Sequence, residues 1–471
     1  MLLALDLGTT TLVGRMLGDD GVLLAEARTA NPQRALGADI LTRLQHAHEG
    51  GGEELQRLLV AGLRTLIAEL LAQAGRPAGR VSAAAAAGNP GISHLLCRLP
   101  VAGLIFPPHR SPLKELTMLT PADLDLDLTV SLQLFPTVTG FVGGDLLADL
   151  YAVTHANVLN LGSPPRLCAS SERRERASHG SQLTADGSRI TAHGSPITAH
   201  KDLTPYPSTI TPHVATRFQS PALGPLLLLD LGTNAELALW NGRRWLVTSA
   251  AAGPAFEAGN ITCGMPLAPG AVTDVQLSGD RLALCVAGGG QPLGLCGSGL
   301  LALVAAARQG GLIDRGGRIV APEEVGTNLA RYLVAAGEGW ELCFHRDARG
   351  ELRLAQDDVR QLQLAKGAVR AGIEVLLDRA GLMPADLVAV CVTGAFGTAL
   401  PVAAVKGIAM LPESVLDKLF FVANGVLDGL CAYLADPQGA AHLAALQATI
   451  QPFPLSGTPA FEQRFLAALE F

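Results

Sequence analysis

Two short motifs combine a carboxylate, a glycine and hydroxyl groups in an order that suits phosphate binding. The first is Asp6–Thr11, which reads Asp-Leu-Gly-Thr-Thr-Thr, and the second is Asp230–Asn234, which reads Asp-Leu-Gly-Thr-Asn. The glycine lets the backbone turn so that amide N–H groups face an anion, and the hydroxyl groups that follow add donors. An aspartate at the end of the preceding strand can hold a hydrated Mg²⁺ that bridges phosphates. A single copy also fits a purely structural hairpin, but two copies favour a pair of facing phosphate loops.

These two loops supply the first candidate site residues. Asp6 and Asp230 are the candidate Mg²⁺ ligands, through water, and both are candidate catalytic residues. The candidate phosphate-binding residues are Gly8, Thr9, Thr10, Thr11, Gly232, Thr233 and Asn234.

Two later glycine-rich stretches extend the candidate site. Gly143, Gly144 and Asp145 follow an apolar strand and open a helix; Asp145 either orients a water near the metal, as a catalytic residue, or caps that helix. A second stretch ends another strand with two glycines around an aromatic residue, and positions without side chains let a flat purine lie against the backbone. Its candidate nucleotide-binding residues are Gly394, Ala395, Phe396 and Gly397.

An internal repeat places these motifs on matching elements. The two Asp-Leu-Gly-Thr motifs lie 224 residues apart, and each one ends the first apolar run of its half. Each half therefore opens with a β-hairpin and continues with alternating helices and strands, among them a helix over 53–74, a strand over 132–138 and a helix over 359–380. This order predicts an α/β protein of two duplicated domains, 1–161 and 225–471, each a mixed sheet with helices on its faces and the second ending in closing helices.

Residues 162–224 have a different composition. They are rich in Ser, Thr, Pro and His, and the sequence Ile-Thr-Ala-His occurs in them twice. Such a segment buries too little apolar surface to offset its ordering entropy, so we predict a disordered insertion. The spacing of its histidines fits no defined metal site.

Charge, hydropathy and cysteine placement exclude several classes of protein. The chain has 471 residues and a formal net charge of −7, which argues against a nucleic-acid or membrane partner. No apolar stretch reaches the about 20 residues of a spanning helix, and the N-terminus does not resemble a secretion signal, so we predict a cytoplasmic protein. The eight cysteines are scattered without a Cys-x-x-Cys pair, which favours small core residues over an iron–sulfur cluster or a zinc site.

Taken in order, the motifs resemble those of the superfamily of acetate and sugar kinases, chaperone ATPases and actin. Its members pair two duplicated domains of actin-like, or ribonuclease H-like, fold around an ATP cleft. The resemblance implies that Asp6–Thr11 is the first phosphate loop, 143–145 the first connection and Asp230–Asn234 the second phosphate loop. It further implies an adenosine loop at 394–397, a second connection at 424–429, and ATP and Mg²⁺ as cofactors.

A narrower resemblance is to the reductive activators of corrinoid proteins. Several motifs carry it, in the same order along the chain: 31–33, 37–44, 141–145, 229–234, 252–257, 294–299 and 363–368. In that family, ATP use drives the one-electron reduction of cob(II)amide to cob(I)amide on a partner protein, and closing of the cleft changes how the activator grips that partner. The resemblance therefore implies an ATPase that reactivates a corrinoid protein of a methyltransferase system, and a homodimer.

The sequence departs from this family in two places. Family members usually carry an N-terminal ferredoxin module with a [2Fe–2S] cluster, whereas Met1 here lies in the first predicted strand, so we expect no cluster in this chain and a separate ferredoxin-like electron donor. Relatives have two threonines where this chain has Pro90 and Gly91, which removes two hydroxyl groups and one N–H. Weak or absent ATP hydrolysis would follow if those hydroxyl groups face the γ-phosphate.

Two other functions stay open at this level. A small-molecule kinase of the same superfamily would need a substrate pocket and base in the first domain, and no motif for either is evident. A nucleotide-binding sensor or scaffold with little turnover would agree with Pro90, Gly91 and the missing ferredoxin module.

Three further features fit a structural role better than a functional one. Lys366, Arg370 and Glu374 share one helix face and fit an exposed ladder of ion pairs better than a nucleotide contact. Cys296 fits a packed small residue better than a reactive thiol, and His94 fits a hydrogen-bonded helix residue.

Overall fold

The structure is a computed structural model that describes residues 1–155, 224–394, 396, 400–455 and 457–471. The described residues on both sides of the long gap belong to one compact unit. The predicted insertion lies outside the described residues except for Gly224, so its disorder, and with it the predicted domain boundaries, stays a prediction.

The first half contains six strands and six α-helices in the described residues. The strands are β1 Leu2–Leu7, β2 Thr11–Leu17, β3 Leu23–Ala30, β4 Ala83–Gly88, β5 Thr117–Leu119 and β6 Leu132–Leu134. The helices are α1 Ile40–His46, α2 Gly52–Ala74, α3 Pro90–Leu96, α4 Ala102–Ile105, α5 Pro121–Leu124 and α6 Gly144–His155.

The second half contains the remaining described strands and helices. The strands are β7 Leu226–Leu231, β8 Ala235–Trp240, β9 Trp245–Ala250, β10 Ala271–Ser278, β11 Arg281–Val286, β12 Gly294–Leu295, β13 Leu333–Ala336, β14 Gly339–Asp347, β15 Gly350–Leu354, β16 Ala389–Gly394, β17 Leu419–Phe421 and β18 Ile450–Pro452. The helices are α7 Gly297–Gln309, α8 Gln356–Ala380, α9 Val402–Gly407, α10 Gly425–Ala435, α11 Gly439–Ala448 and α12 Pro459–Ala467.

The two large sheets repeat one topology. The first has the order β3-β2-β1-β4-β6-β5 and the second has the order β17-β16-β7-β8-β9-β18. In each sheet the opening hairpin and its third strand are antiparallel, while β1 is parallel to β4 and, correspondingly, β7 is parallel to β16. The predicted duplication and mixed α/β architecture are therefore confirmed.

Two small three-stranded sheets, β11-β10-β12 and β13-β14-β15, occur in the described second half only and were not predicted. The predicted strand over 132–138 is wrong beyond Leu134. Pro136 has no N–H for the ladder, and the next amide, that of Thr137, instead donates to the carbonyl of Leu113 at 2.7 Å.

Helix α2 shows how the sequence pattern produces the packing of the first half. Its leucines recur three or four residues apart and lie on one face, which packs against β2 and β3. These side chains, Leu55, Leu59, Leu63, Leu66 and Leu70, are fully buried. The helix ends at Gly75, whose left-handed conformation (φ 62°) suits glycine and whose N–H bonds the carbonyl of Ala72.

The helices α6 and α10 connect the two halves through a shared core. Each half has a core of its own, and a third contains α6, α10 and side chains from both large sheets. Hydrogen bonds cross between the halves as well: Tyr151 donates to Asp436 at 2.7 Å and Tyr433 donates to Gln133 at 2.6 Å. Both predicted phosphate loops thus belong to sheets joined through α6 and α10.

Candidate functional site

The first predicted phosphate loop is the turn between β1 and β2, with Asp6 next to the last residue of β1 and Thr11 at the start of β2. A side chain on Gly8 would overlap the carbonyl oxygen of Thr11, so this tight turn requires glycine. Two asparagines fix the turn. Asn31 donates from its side chain to the carbonyl of Gly8 at 3.0 Å, and Asn89 donates to the hydroxyl of Thr9 at 2.9 Å.

The second predicted phosphate loop repeats this arrangement between β7 and β8. Asp230 is next to the last residue of β7, and the N–H of Gly232 bonds the carbonyl of Asn234 at 2.9 Å. One difference has chemical consequences. The cross-strand partner of Asp6 is Val13, whereas that of Asp230 is Glu236, which adds a carboxylate to this side of the site.

The two loops converge on one oxygen atom. The hydroxyl of Thr10, in the first loop, donates to Oε2 of Glu257 at 2.9 Å, and the hydroxyl of Thr233, in the second loop, donates to the same atom at 3.3 Å. Glu257 ends a 3₁₀ turn of the second half, Pro254–Glu257. The two loops therefore face each other, close enough for one carboxylate oxygen to accept a hydrogen bond from each of them.

A group of acidic side chains lies between the loops. Burial, and then the negative charges of Asp230 and Asp145, raise the pKa of Asp6 well above its ordinary value. Burial, followed by the charge of Asp145, raises the pKa of Asp230 to about 7. The charge of Asp230 acts on Asp6, and the loops that carry the two aspartates share the Glu257 contact, so we interpret Asp6 and Asp230 as parts of one candidate site.

Asp145 lies in the first turn of α6 and faces this group. Burial raises its pKa to about 6, and its Oδ1 accepts the N–H of Leu146 at 2.9 Å. The preceding Gly143 allows close packing, since a Cβ there would lie 2.6 Å from the carbonyl oxygen of Gly88. Asp145 is the second residue of α6 and its side chain accepts a first-turn N–H, while its role toward a water stays a prediction.

Sequence reasoning did not identify Asp149, a buried carboxylate one helical turn after Asp145. Burial, followed by the charge of Asp230, raises the pKa of Asp149, and the carboxyl groups of Asp149 and Asp230 face each other. In the described part of the chain, both carboxylate oxygens of Asp149 are buried without a hydrogen-bond donor. The four-residue spacing from Asp145, which places both on one helix face, is the signal that could have found it.

Glu236 and Glu257 were likewise not predicted as site residues. Burial, and then the charge of Asp145, raise the pKa of Glu236, which accepts a hydrogen bond from Ser249 at 3.2 Å. The hairpin register opposite Asp230 could have found Glu236. Glu257 ends the 252–257 motif that the family resemblance includes, but that motif does not show its contact with Thr10.

The acidic side chains between the loops have the ligand atoms that suit Mg²⁺ held through water. Their ligand atoms are carboxylate oxygens, which hard cations prefer. No N–H or hydroxyl donor of the described residues reaches the oxygens of Asp149, which face Asp230, so these two carboxyl groups can share a proton. No three of the described His, Cys, Asp and Glu side chains are close enough to form a direct metal cage. Mg²⁺ commonly keeps several of its waters, so the arrangement agrees with indirect coordination.

The third predicted nucleotide-binding stretch lies next to Asp230. Gly394 ends β16 with φ +75°, and a side chain there would overlap Oδ1 of Asp230. Phe396 is buried, and its ring packs edge-on against Phe256 at a centroid distance of 5.4 Å. Ala395 and Gly397 lie outside the described residues.

The second predicted connection packs directly on the first. Side chains at Gly425 and Gly429 of α10 would overlap Asp149 and the backbone of Ala148 in α6. The two glycines of α10 therefore allow this helix to contact α6 directly beside Asp149.

One of the three minor interpretations is wrong. Lys366 is fully buried, its Nζ donates to the carbonyl of Glu470, and burial lowers its pKa to about 8; only Arg370 and Glu374 form the expected ion pair. The other two are confirmed. His94 is buried with Nδ1 3.0 Å from the carbonyl oxygen of Pro100 and Nε2 2.9 Å from the Ser111 hydroxyl, and Cys296 is buried at the start of α7.

Pro90 and Gly91, which stand where relatives have two threonines, form the closely packed start of α3. Pro90 begins α3, and a Cβ on Gly91 would lie 2.5 Å from the side chain of Ile40. Asn89, immediately before them, caps α3 by accepting the N–H of Ile92 at 3.0 Å while it donates to Thr9. The loop contact therefore comes from Asn89, and a larger side chain at position 91 would require the side chain of Ile40 to move.

No described helix is both long enough and apolar enough to span a membrane.

Comparison with known proteins places these features in a family. Residues 224–471 match the family model described as the C-terminal domain of RACo, the ASKHA domain, and residues 1–156 match the RACo middle region. A solved structure described as a reductive activator for corrinoid, iron-sulfur protein superposes with a TM-score of 0.78 at 23% identity, covering 100% of this chain and 65% of that one.

Two curated proteins are similar in sequence. The corrinoid activation enzyme RamQ of Eubacterium limosum is 26% identical over 477 residues, which cover 98% of this chain and 69% of RamQ. The Co(II) methylated amine-specific corrinoid protein reductase of Methanosarcina barkeri is 30% identical over 195 residues, which cover 37% of this chain and 32% of that protein. The chain thus spans about two thirds of RamQ and of the solved activator, and a third of the reductase. Since the ASKHA model alone covers more than half of the chain, the protein belongs to the RACo family and has its mixed α/β, actin-like fold.

Proposed function

We propose that this protein is an ATP-dependent reductive activator of a corrinoid protein in a methyltransferase system. The shared contact of Thr10 and Thr233 with Glu257 carries the nucleotide part of the proposal, because it brings two phosphate loops face to face. The corrinoid part is supported by family membership and by the relatives described as acting on corrinoid proteins.

The phosphates of ATP would bind between the loops. The backbone amides that follow Gly8 and Gly232, with the hydroxyls of Thr9, Thr10 and Thr233, supply donors to phosphate oxygens, and the remaining loop residues, Thr11 and Asn234, flank them. Asp6 and Asp230 would hold Mg²⁺ through water. The ion supplies positive charge that offsets both the phosphates and the acidic group.

Asp145 is proposed to position the attacking water. Its pKa of about 6 leaves the carboxyl largely ionised at neutral pH, so that it can accept a hydrogen bond from water. Gly394 places the end of β16 beside Asp230, and the proposed adenosine loop, 394–397, starts there.

The reduction itself takes place on the partner. One electron passes from a separate ferredoxin-like donor, which is oxidised, to cob(II)amide, which becomes cob(I)amide. ATP binding would close the halves on α6 and α10, the helices that connect them, and so change the surface offered to the corrinoid protein. A homodimer and a cytoplasmic location stay predictions.

Reconstitution tests the proposal. The protein is mixed with a cob(II)amide-loaded corrinoid protein, a chemical reductant, a ferredoxin and Mg²⁺, and cob(I)amide formation is followed by absorbance with and without ATP. ATP-dependent formation that Asp6→Asn abolishes supports the proposal, and Glu338→Gln, in the exposed turn between β13 and β14, serves as a control. ATP binding without any effect on cobalt reduction would overturn the corrinoid part.

A nucleotide sensor with little turnover is a second candidate function. It is favoured by the start of α3, where Pro90 and the tightly packed Gly91 offer no hydroxyl group to the first loop. Calorimetry combined with a phosphate-release assay distinguishes the two functions. Tight ATP binding with no phosphate released, even with the corrinoid partner present, would favour the sensor.

A further inference from the structure

Glu257 places a carboxylate where the two phosphate loops would hold a phosphate. Its Oε2 accepts from one hydroxyl in each loop, and a Cβ on Gly232 would lie 3.5 Å from its Oε1. The carboxylate therefore occupies the turn of the second loop as well as the gap between the loops. Hydroxyl groups that donate to a carboxylate can donate equally to a phosphate oxygen.

The backbone that carries Glu257 is constrained, while its side chain is held by hydrogen bonds from two hydroxyl groups and by no others among the described residues. Gly253 (φ 75°) precedes the turn, Ala258 (φ 57°) follows it, and within the turn Ala255 and Phe256 are buried. Among the described residues, Glu257 has no ion-pair partner.

The surroundings of Glu257 are acidic. Its negative charge is among the causes, after burial and Asp145, that raise the pKa of Asp230. A carboxylate with two neutral donors and like charges nearby is bound weakly compared with one that is paired to Arg or Lys. An incoming anion can therefore displace it without breaking a strong ion pair.

We infer that Glu257 is a positioning residue: its carboxylate holds the hydroxyl groups of Thr10 and Thr233 in the nucleotide-free protein and yields them to the phosphates of the bound nucleotide. This inference rests on the proposed function, since it takes the loops to be phosphate-binding. The carboxylate and a phosphate cannot share these donors, because both are anions that need the same hydrogen atoms. Glu257 thus orients both loops in advance and lowers their affinity for nucleotide.

Nucleotide affinity is the direct test. A non-hydrolysable ATP analogue with Mg²⁺ is titrated calorimetrically into the wild-type protein, Glu257→Gln, Glu257→Ala and the charge-matched control Glu338→Gln. We expect Glu257→Ala to bind at least tenfold more tightly than wild type, Glu257→Gln to gain less, since its amide oxygen still accepts hydrogen bonds, and the control to be unchanged.

An unchanged or weaker affinity in both Glu257 variants overturns the inference while leaving the proposed function intact. If neither wild type nor any variant binds the analogue, the proposed function itself fails.

A double-mutant cycle separates displacement from a general effect of charge. Thr10→Val removes a donor for which Glu257 and phosphate compete, so the affinity gain from Glu257→Ala should shrink in that background. A gain that stays the same size shows that the hydroxyl is not shared, which overturns the inference. The melting temperature gives a second readout: without nucleotide, Glu257→Ala should melt below wild type, and the analogue should raise its melting temperature by more than it raises that of wild type.

Discussion

Replacing Gly143 with alanine tests how closely the start of α6 must approach the first phosphate loop. A Cβ at this position would lie 2.6 Å from both Cα of Asn89 and the carbonyl oxygen of Gly88, and 2.5 Å from Oδ1 of Asp145. Ordinary van der Waals contact begins at 3.4 Å, so the backbone must move by about 0.8 Å. The neighbours at Gly88 and Asn89 are backbone atoms that cannot rotate away.

The shift has two expected consequences. Overpacking a close contact of this kind costs about 1–3 kcal/mol in the free energy of unfolding. It also displaces Asp145 relative to Thr9, because Asn89 donates to the Thr9 hydroxyl and is one of the groups pushed aside. A misplacement near 1 Å can lower a catalytic rate about 100-fold, so we expect ATP turnover to fall at least tenfold.

Urea unfolding measures the first effect and steady-state phosphate release measures the second. Gly79→Ala is the matched control, because a Cβ there meets no atom within 4 Å, and it should leave both quantities near wild type. If Gly143→Ala is as stable and active as the control, α6 does not approach the loop as described, and the reasoning about Asp145 fails with it.

Two other predictions concern pH and the first loop. The pKa of Asp230 (about 7) and that of Asp145 (about 6) are raised by burial above the ordinary value, so the folded state binds more protons than the unfolded state between about pH 4 and 7. The free energy of unfolding of the nucleotide-free protein, measured with urea without Mg²⁺, should therefore fall as pH rises through this window, and Asp230→Asn should reduce the fall; an equal fall in the variant would contradict the assignment. Asn89→Ala should cost about 1–2 kcal/mol through loss of the α3 cap and should also weaken ATP binding, since the Thr9 hydroxyl loses its donor. Asp39→Ala removes the exposed cap of α1 and should lower stability without changing ATP affinity, so equal affinities in both cap variants would show that Asn89 has no role in the site.

Local sequence patterns were sufficient to predict most of the fold. The hairpins that carry Asp6 and Asp230, the leucine face of α2 and the duplication follow from periodicity and turn residues that act between near neighbours in the chain. The two small sheets of the second half were missed. Short strands of mixed composition carry no periodic signal, and their pairing depends on what packs around them.

The error at Lys366 has a similar cause. Helical spacing places Lys366, Arg370 and Glu374 on one side of α8, but it does not say which part of that side is covered. Glu470 and Phe471 lie over Lys366, with its Nζ 5.1 Å from the Phe471 ring centroid, and exclude it from water. A contact across about a hundred residues cannot be inferred from helical periodicity.

The sequence alone determined the residue types and the backbone turns of the two loops, because a glycine in fixed order after a carboxylate, followed by hydroxyl groups, allows the tight turn that carries them. It also determined that two such turns end equivalent strands. Tertiary structure alone decided that both turns meet at Glu257, which is 247 residues from Thr10, and that Asp149 joins the acidic group. The physical reason is that these carboxylates come close to one another only after α6 and α10 have packed the two sheets together. Burial and the neighbouring negative charges then both raise their pKa.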